Sequence, residues 1–233
     1  MSSIVYLVPT VLDENALHTI PLYIIDAVKN CKVIFAENER TARRFLKSIC
    51  KEIVIDDYEW FTIHKAEEEQ KNNFRQKIND GKNIAIISEA GCPGVADPGQ
   101  VLVEVAQQMN ATVKPLVGPS SILLALMASG MNGQQFEFIG YLPIDITERT
   151  KAIREMEIES LKKHSTQIFI ETPYRNNQLL ETLLKTCKPS TSICIAADLT
   201  GTAENVKTKT VADWKNEKND FHKKPVIFLL LAK

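Results

Sequence analysis

Ile84-Ala85-Ile86-Ile87-Ser88-Glu89-Ala90-Gly91-Cys92-Pro93-Gly94-Val95-Ala96-Asp97-Pro98-Gly99 is the stretch that decides the fold. Its first four residues are apolar without a break and rich in β-branching, the pattern of a strand buried on both faces. The residues after Ser88 cannot continue a strand. Between Gly91 and Gly99 stand three glycines and two prolines. Glycine permits positive φ and lets a ligand approach the backbone closely, and Pro98 suits the start of a helix. Ligands of α/β sheets collect at the carboxyl ends of strands, where this loop lies. A sharp βα turn that merely needs small residues is the alternative reading.

The same alternation extends both ways along the chain. Towards the N-terminus the apolar pattern predicts strands at Ile4–Val8, Lys32–Ala36 and Ile53–Ile55. Helices are expected after Pro21 (apolar Leu22, Ile25 and Val28), over Glu39–Ile49, and over Ala66–Asn79, with Gly81 past the end of the last. Towards the C-terminus helices are expected at Pro98–Met109, Pro119–Ala128, Lys151–Lys163 and Pro173–Thr186. Strands are expected at Thr112–Leu116, Phe136–Gly140, Thr166–Glu171 and Ser192–Ala197. The tail differs: Val206–Val211 and Val226–Leu231 read as strands with little helix between them, which predicts antiparallel pairing there. The pattern predicts an α/β protein of two αβα domains with mixed, mostly parallel sheets, dividing into 1–116 and 117–233.

Composition sets the class. The chain has 233 residues, 44% hydrophobic and 24% charged, as a globular protein does. Twenty-eight Lys and Arg against 29 Asp and Glu leave a net charge of −1, so no global basic field attracts nucleic acid. Two local clusters remain: Arg40, Arg43, Arg44 and Lys47, and Arg149, Lys151 and Arg154. Each reads as a phosphate-contacting patch or as a solvated helix face, and the run Glu67-Glu68-Glu69 reads as a solvated face. Five scattered cysteines and four separated histidines form neither a disulfide framework nor a metal-ligand spacing, so no metal is expected. Asp13 and Glu14 interrupt the first apolar stretch, so no signal peptide is expected, and the run Val226–Ala232 is too short to span a bilayer. A cytoplasmic setting is the resulting expectation.

Other predicted strands also end in chemically suggestive turns. Gly118-Pro119-Ser120-Ser121-Ile122 would place two hydroxyls and free backbone N–H groups at a helix N-terminus, where carboxylates and ribose hydroxyls bind; an ordinary serine N-cap is the alternative. Gly140-Tyr141-Leu142-Pro143, Glu171-Thr172-Pro173-Tyr174-Arg175 and Glu37-Asn38-Glu39-Arg40-Thr41 stand in equivalent places. Glycine fingerprints for dinucleotides and P-loops are absent, as is a nucleophile elbow. Cys92 reads as a small apolar loop residue.

Taken in order, these clusters resemble the tetrapyrrole methylase superfamily of S-adenosylmethionine-dependent methyltransferases. The similarity is greatest to the branch of small-subunit ribosomal-RNA cytidine 2′-O-methyltransferases. Its S-D/E-A-G-x-P-x-I/V-A/S-D-P-G loop matches Ser88 to Gly99 in full. Its G-P-S/C-S/A turn matches Gly118 to Ser121, its G-F/Y-L-P matches Gly140 to Pro143, and its E-S/T-P-Y/H-R matches Glu171 to Arg175. Two departures stand out. The family's Thr-Pro-Ile/Leu-Gly-Asn-Leu loop is replaced by Val8-Pro9-Thr10-Val11-Leu12-Asp13-Glu14-Asn15, and its Ala-Glu-Asp-Thr-Arg by Ala36-Glu37-Asn38-Glu39-Arg40. Both fall where the methyl acceptor is expected.

The resemblance implies two α/β domains with a cleft between them, a homodimer, and S-adenosylmethionine as donor. Carried over by position, Pro9, Cys92, Val95, Ala96, Ser120, Ser121, Ile122, Leu142 and Thr172 would bind it, largely through backbone groups. Arg40, Arg44 and Arg175 would meet the substrate. If the acceptor is a hydroxyl, Asp97, Glu37 and Glu171 are the candidate bases, with Asp97 first because it lies in the densest loop; Asp97 could equally cap the following helix. Ribosomal RNA is the expected acceptor. A porphyrin-like ring, or a non-catalytic protein that binds the donor only, are the other readings.

Overall fold

The computed structural model describes residues 3–63 and 67–233. Contacts within the chain divide it into two compact units, Met1–Ser120 and Ser121–Lys233.

The first unit is a parallel sheet clad by helices. Along the chain run β1 (Ile4–Val8), α1 (Tyr23–Lys29), β2 (Val33–Ala36), α2 (Glu39–Ile49), β3 (Glu59–Thr62), α3 (Lys71–Asn79), β4 (Ile84–Ile87), α4 (Gln100–Gln108) and β5 (Thr112–Pro115). The sheet order is β3-β2-β4-β1-β5, and every pairing is parallel. Side-chain alternation explains why both faces are covered. Tyr6, Val8, Ile34, Ala36, Ala85 and Ile87 pack into one core with α1 and α2, while Val5, Val33, Phe35, Ile84 and Ile86 pack into another with α3 and α4. Because all strands run the same way, the loops after β1, β2, β4 and β5 emerge on one edge.

The second unit opens with α5 (Ser121–Ser129). β6 (Phe136–Tyr141), α6 (Ile146–Lys163), β7 (Thr166–Ile170), α7 (Asn176–Thr186), β8 (Ser192–Ala197), β9 (Asn205–Thr210), the single turn α8 (Val211–Trp214) and β10 (Val226–Leu231) come after it. Its order is β6-β7-β10-β8-β9, with β6 and β7 parallel and the remaining pairs antiparallel, as the helix-poor tail predicts. One face packs against α6, α7 and α8, and α5 lies against β8, β9 and β10. Among the described residues no helix is long and apolar enough to cross a membrane.

Several expectations are corrected. Ile53–Ile55 is not a strand. Asp56 and Asp57 turn the chain into a short 3-10 helix at Ile55–Asp57, Ile53 drops into the core at 2% exposure, and the aromatic segment Glu59–Thr62 forms the edge strand instead. The helix expected from Ala66 begins at Lys71; Ala66 itself lies outside the described residues. Gly81 does close it, at φ +70°. Helix α6 begins five residues before Lys151, because the Asp145 carboxylate accepts the Thr147 and Glu148 N–H groups as an N-cap. Val211 starts α8 rather than ending β9.

Two charged runs are also corrected. Glu67 is not a solvated helix residue: one of its carboxylate oxygens accepts the backbone N–H groups of Gly99, Val101 and Leu102 at 2.9, 2.9 and 3.2 Å. It caps α4 from 32 residues away, so Asp97 is not needed for that role. Arg149 is fully buried, and its guanidinium donates to the carbonyls of Pro143 and Ile144 at 2.9 and 2.6 Å. It pins the loop after β6 and is no phosphate contact, whereas Lys151 and Arg154 remain exposed.

Candidate active site

The carboxyl edge of the first sheet gathers the loops that the sequence singles out. Val8, Ala36 and Ile87 stand at one level of the register, so Pro9, Glu37 and Ser88 leave the sheet side by side. Thr10 fastens the first loop to the third: its N–H donates to the Gly91 carbonyl at 2.9 Å and its hydroxyl to the Ser88 carbonyl at 3.3 Å. Pro9 in turn lies against Gly118, where an added Cβ would come within 2.2 Å of the proline ring. Only glycine fits at that crossing. The Cys92 thiol points to the Pro119 carbonyl at 3.5 Å, and burial pushes its pKa up, so it is no thiolate nucleophile.

The Ser88–Gly99 loop is shaped by its glycines. Gly94 sits at φ +78°, and its N–H donates back to the Pro98 carbonyl at 3.1 Å, which folds the loop into a tight ring. At the tip, Val95 and Ala96 are exposed, and Ala96 holds φ at +63°, a conformation that costs a non-glycine residue energy. Asp97 comes next, half-buried. Desolvation, then the charges of Glu37 and Glu89, push its carboxyl up to about 6. The Glu37 carboxylate accepts the Glu89 N–H at 2.9 Å, and the Thr41 hydroxyl donates to the Glu89 carboxylate at 3.3 Å. Asn38, the departure from the family pattern, caps α2 by accepting the Arg40 and Thr41 N–H groups at 3.0 and 3.4 Å. Aspartate and asparagine cap equally well, so the change removes a charge and keeps the geometry. Arg40 and Arg44 are exposed on α2.

Ser120 and Ser121 fall at the junction of the units, with Ser121 the first residue of α5 and Ile122 buried behind it. Among the described residues neither serine hydroxyl has a hydrogen bond, so neither acts as a side-chain cap.

In the second unit Leu142 and Glu171 come after the parallel strands β6 and β7 and therefore share an edge. The Glu171 side chain is wholly buried. One oxygen accepts the Thr172 N–H at 2.7 Å and both Nε and Nη2 of Arg175 at 3.0 and 2.6 Å, while its second oxygen has no hydrogen-bond partner. Glu171 raises the Arg175 pKa further. Arg175 is thus turned onto Glu171. Glu67, Glu89 and Arg149 are the residues that sequence reasoning missed. Glu89 lay within the matched loop and could have been found; Glu67 acts 32 residues away, across a distance that no local pattern encodes, and Arg149 meets carbonyls five and six residues upstream that turn towards it only in the folded loop.

A glycine-ringed loop at the carboxyl edge of a parallel sheet, with a carboxylate raised by burial and by two like-charged neighbours, has the outline of an enzyme site. The chain belongs to the family of tetrapyrrole (corrin/porphyrin) methylases, whose model matches residues 16–214. It is 31% identical over 232 residues to the ribosomal RNA small subunit methyltransferase I of Vibrio cholerae, covering 98% of this chain and 76% of that one. It is 31% identical over 219 residues to the protein of the same name in Bacillus subtilis, covering 92% and 70%. Among solved structures it resembles the methyltransferase CobJ, with a TM-score of 0.66 at 15% identity over 100% of this chain and 95% of that one. It also resembles the uroporphyrin-III C-methyltransferase of Thermus thermophilus, with a TM-score of 0.57 at 16% identity over 99% and 93%. These likenesses agree with the two-unit α/β fold.

Proposed function

We propose that the protein uses S-adenosylmethionine to methylate a ribose hydroxyl of small-subunit ribosomal RNA. The observation that carries the reading is Asp97, a half-buried carboxylate raised to about 6 within the glycine-ringed loop. The names of the relatives supply the acceptor.

A donor recognised through backbone groups suits the residues present: the Gly94 N–H closes the loop into a ring, Val95 and Ala96 stand exposed at its tip, and Gly118 lies so close to Pro9 that no Cβ would fit between them. Cys92, Val95 and Ala96 would hold the donor from the loop, with Ser120, Ser121 and Ile122 from the following turn; Leu142 and Thr172 are carried over from the family resemblance as further donor contacts. The unpartnered Glu171 oxygen is a ready acceptor for a ligand hydroxyl or ammonium. When bound, the donor supplies an electrophilic methyl on a good leaving group. The chain then needs no covalent nucleophile, only alignment and a proton acceptor. At neutral pH Asp97 is mostly ionised yet more basic than an ordinary carboxylate, which suits it to take the hydroxyl proton. Glu37 holds the Glu89 backbone, and Glu171 positions Thr172 and Arg175. Arg40 and Arg44 meet RNA phosphates.

The names of the curated relatives, ribosomal RNA small subunit methyltransferase I, favour RNA over a porphyrin as the acceptor. A homodimer and a cytoplasmic setting belong to the same reading, and light scattering tests the first. The decisive experiment titrates S-adenosylmethionine into the parent and into Val95→Trp, then measures methyl incorporation into unmethylated small subunits. Micromolar binding lost in the variant, with incorporation by the parent, is expected. Binding without incorporation would leave the donor-only reading; no binding to folded parent would sink the proposal.

A further inference from the structure

The second sheet carries a basic surface on the edge that bears Leu142 and Thr172. β7 and β8 each run antiparallel to β10, so they point the same way, and Ile227 at the start of β10 meets Ile170 on one side and Ala196 on the other. The loops after β7 and β8 and the segment entering β10 therefore crowd one edge. Residues 205–224 hold six lysines against three acidic residues, in a chain of net charge −1. Lys224 pairs with Asp198 at 2.8 Å, and Lys209 pairs with Glu217. Among the described residues Lys207, Lys215, Lys218 and Lys223 form no ion pair. Lys207 and Lys218 line a recess of about 160 Å³ with Trp214 and Phe221 in its wall. Asp220 lines it too, its carboxylate taken up by the Asn177 amide and the His222 N–H at 2.8 and 2.9 Å. Beside the lysines Tyr174 stands 69% exposed, and among the described residues its hydroxyl has no hydrogen bond. The His222 ring meets the Tyr174 ring edge-on at 5.7 Å, and the Lys223 ammonium lies 6.0 Å from its centre. The arrangement is built into the fold. Lys223 holds φ at +61°, a strained value for a non-glycine residue, and its N–H donates to the Pro173 carbonyl at 2.9 Å. The wholly buried Asn176 amide donates to the Phe221 and Lys224 carbonyls at 3.1 and 2.8 Å, and the Phe221 N–H donates to Asn177 at 2.8 Å. The lysine segment is thus fixed against Tyr174 before any ligand arrives.

We propose that Tyr174, Lys223 and the recess lined by Lys207 and Lys218 form a grip for single-stranded RNA, with one base lying on the Tyr174 ring and the adjoining phosphates meeting the lysines. The inference rests on the RNA-methylating reading above and concerns nucleotides that flank the acceptor and are not themselves methylated. An exposed aromatic ring accepts the face of an unstacked base, and lysines without carboxylate partners take phosphates. Ring and charge together suit a single strand, whose bases are free to leave the stack. A duplex hides its base faces and would meet the lysines alone. An acidic protein segment would likewise use the lysines and leave Tyr174 idle. Because every base has a π-face, the grip is indifferent to base identity. It adds affinity and placement, and the choice of acceptor lies elsewhere.

The test is fluorescence anisotropy of labelled oligouridine and of a labelled RNA duplex with the full chain, over a range of salt concentrations. The parent is compared with Tyr174→Ala, with Tyr174→Phe, and with the triple variant Lys207→Gln/Lys218→Gln/Lys223→Gln, in which glutamine keeps each stem and removes its charge. Tyr174→Ala is expected to weaken oligouridine about tenfold and the duplex hardly at all, while Tyr174→Phe binds as the parent does, since stacking needs the ring and not the hydroxyl. The triple variant should flatten the log–log salt dependence for oligouridine by about two, at roughly 0.7 for each lost phosphate contact. Melting temperatures within about 2 °C of the parent certify each fold. Oligouridine affinity that survives Tyr174→Ala, a salt slope unchanged in the triple variant, or displacement of the label by polyglutamate as readily as by unlabelled oligouridine overturns the inference. Methyl incorporation into small subunits is scored separately, and the variants should raise its KM while keeping kcat. Incorporation by the parent, with oligouridine binding unaltered in the variants, removes the grip and leaves the function. Oligouridine binding that depends on these residues, without incorporation, removes the function and leaves the grip.

Discussion

Two loops, one in each unit, pose the same chemistry in opposite ways. Each leaves the carboxyl end of a buried strand, β4 in the first unit and β7 in the second, and each carries a family-matched carboxylate. Glu171 is buried and compensated: a backbone N–H and the Arg175 fork converge on one oxygen. Asp97 is half-buried and uncompensated, with Glu37 and Glu89 as its charged neighbours. A paired carboxylate is a fixed part of the scaffold. An unpaired one among like charges gives up stability and gains basicity, and this is how sites are tuned for proton transfer. The partners around a carboxylate decide its work.

The largest expected effect breaks that contrast at Asp97. Asp97→Asn removes the base and should lower single-turnover methyl transfer by about 10²–10⁴-fold, with donor affinity nearly unchanged. In the parent, the transfer rate should fall as pH drops through about 6, the value to which Asp97 is raised from 3.8. Stability runs the other way. The folded chain binds the Asp97 proton more tightly than the unfolded chain does. The contribution is complete below the unfolded value of 3.8 and is lost as pH rises through about 6. Asp97→Asn should therefore melt higher than the parent at pH 7.5, with the gap closing towards pH 4. A variant that melts lower at pH 7.5 would mean that Asp97 is structural.

A smaller effect sharpens the contrast from the other side. Glu171→Gln leaves buried donors poorly satisfied and should cost about 1–3 kcal/mol in denaturant titrations. Its transfer rate at saturating donor should stay well above that of Asp97→Asn. Equal losses of rate in the two variants would make Glu171 a base rather than a positioning residue. The smallest effect concerns the floor beneath Asp97. Glu67→Ala frees three N–H groups at the start of α4 and should cost about 1 kcal/mol, a typical value for a lost cap. Exchange of the Gly99, Val101 and Leu102 amides should accelerate selectively.

Much of this was legible in the residues. The unbroken apolar runs Ile84–Ile87 and Ile193–Ala197 are strands because only a two-sided core tolerates them, and the glycine-proline loop marks its own strand end. Ile53–Ile55 misled because three β-branched residues satisfy a strand pattern, yet the two aspartates after them favour a turn and a single buried side chain suffices to anchor it. Glu67 and Arg149 misled because charged runs usually face water; nothing local reveals the backbone groups 32 residues from Glu67, and the carbonyls of Pro143 and Ile144 turn towards Arg149 only once the loop after β6 has folded.

The sequence by itself determined the strand ends, the small-residue loops and the family, since all three are written in short-range pattern: side-chain periodicity, backbone permissiveness and motif spacing. Tertiary structure alone decided which carboxylate stands unpaired, which arginine is spent on carbonyls, and which glutamate caps a helix 32 residues away. Charge, desolvation and hydrogen bonding depend on distances in space, and these are set only when the strands align their ends on one edge.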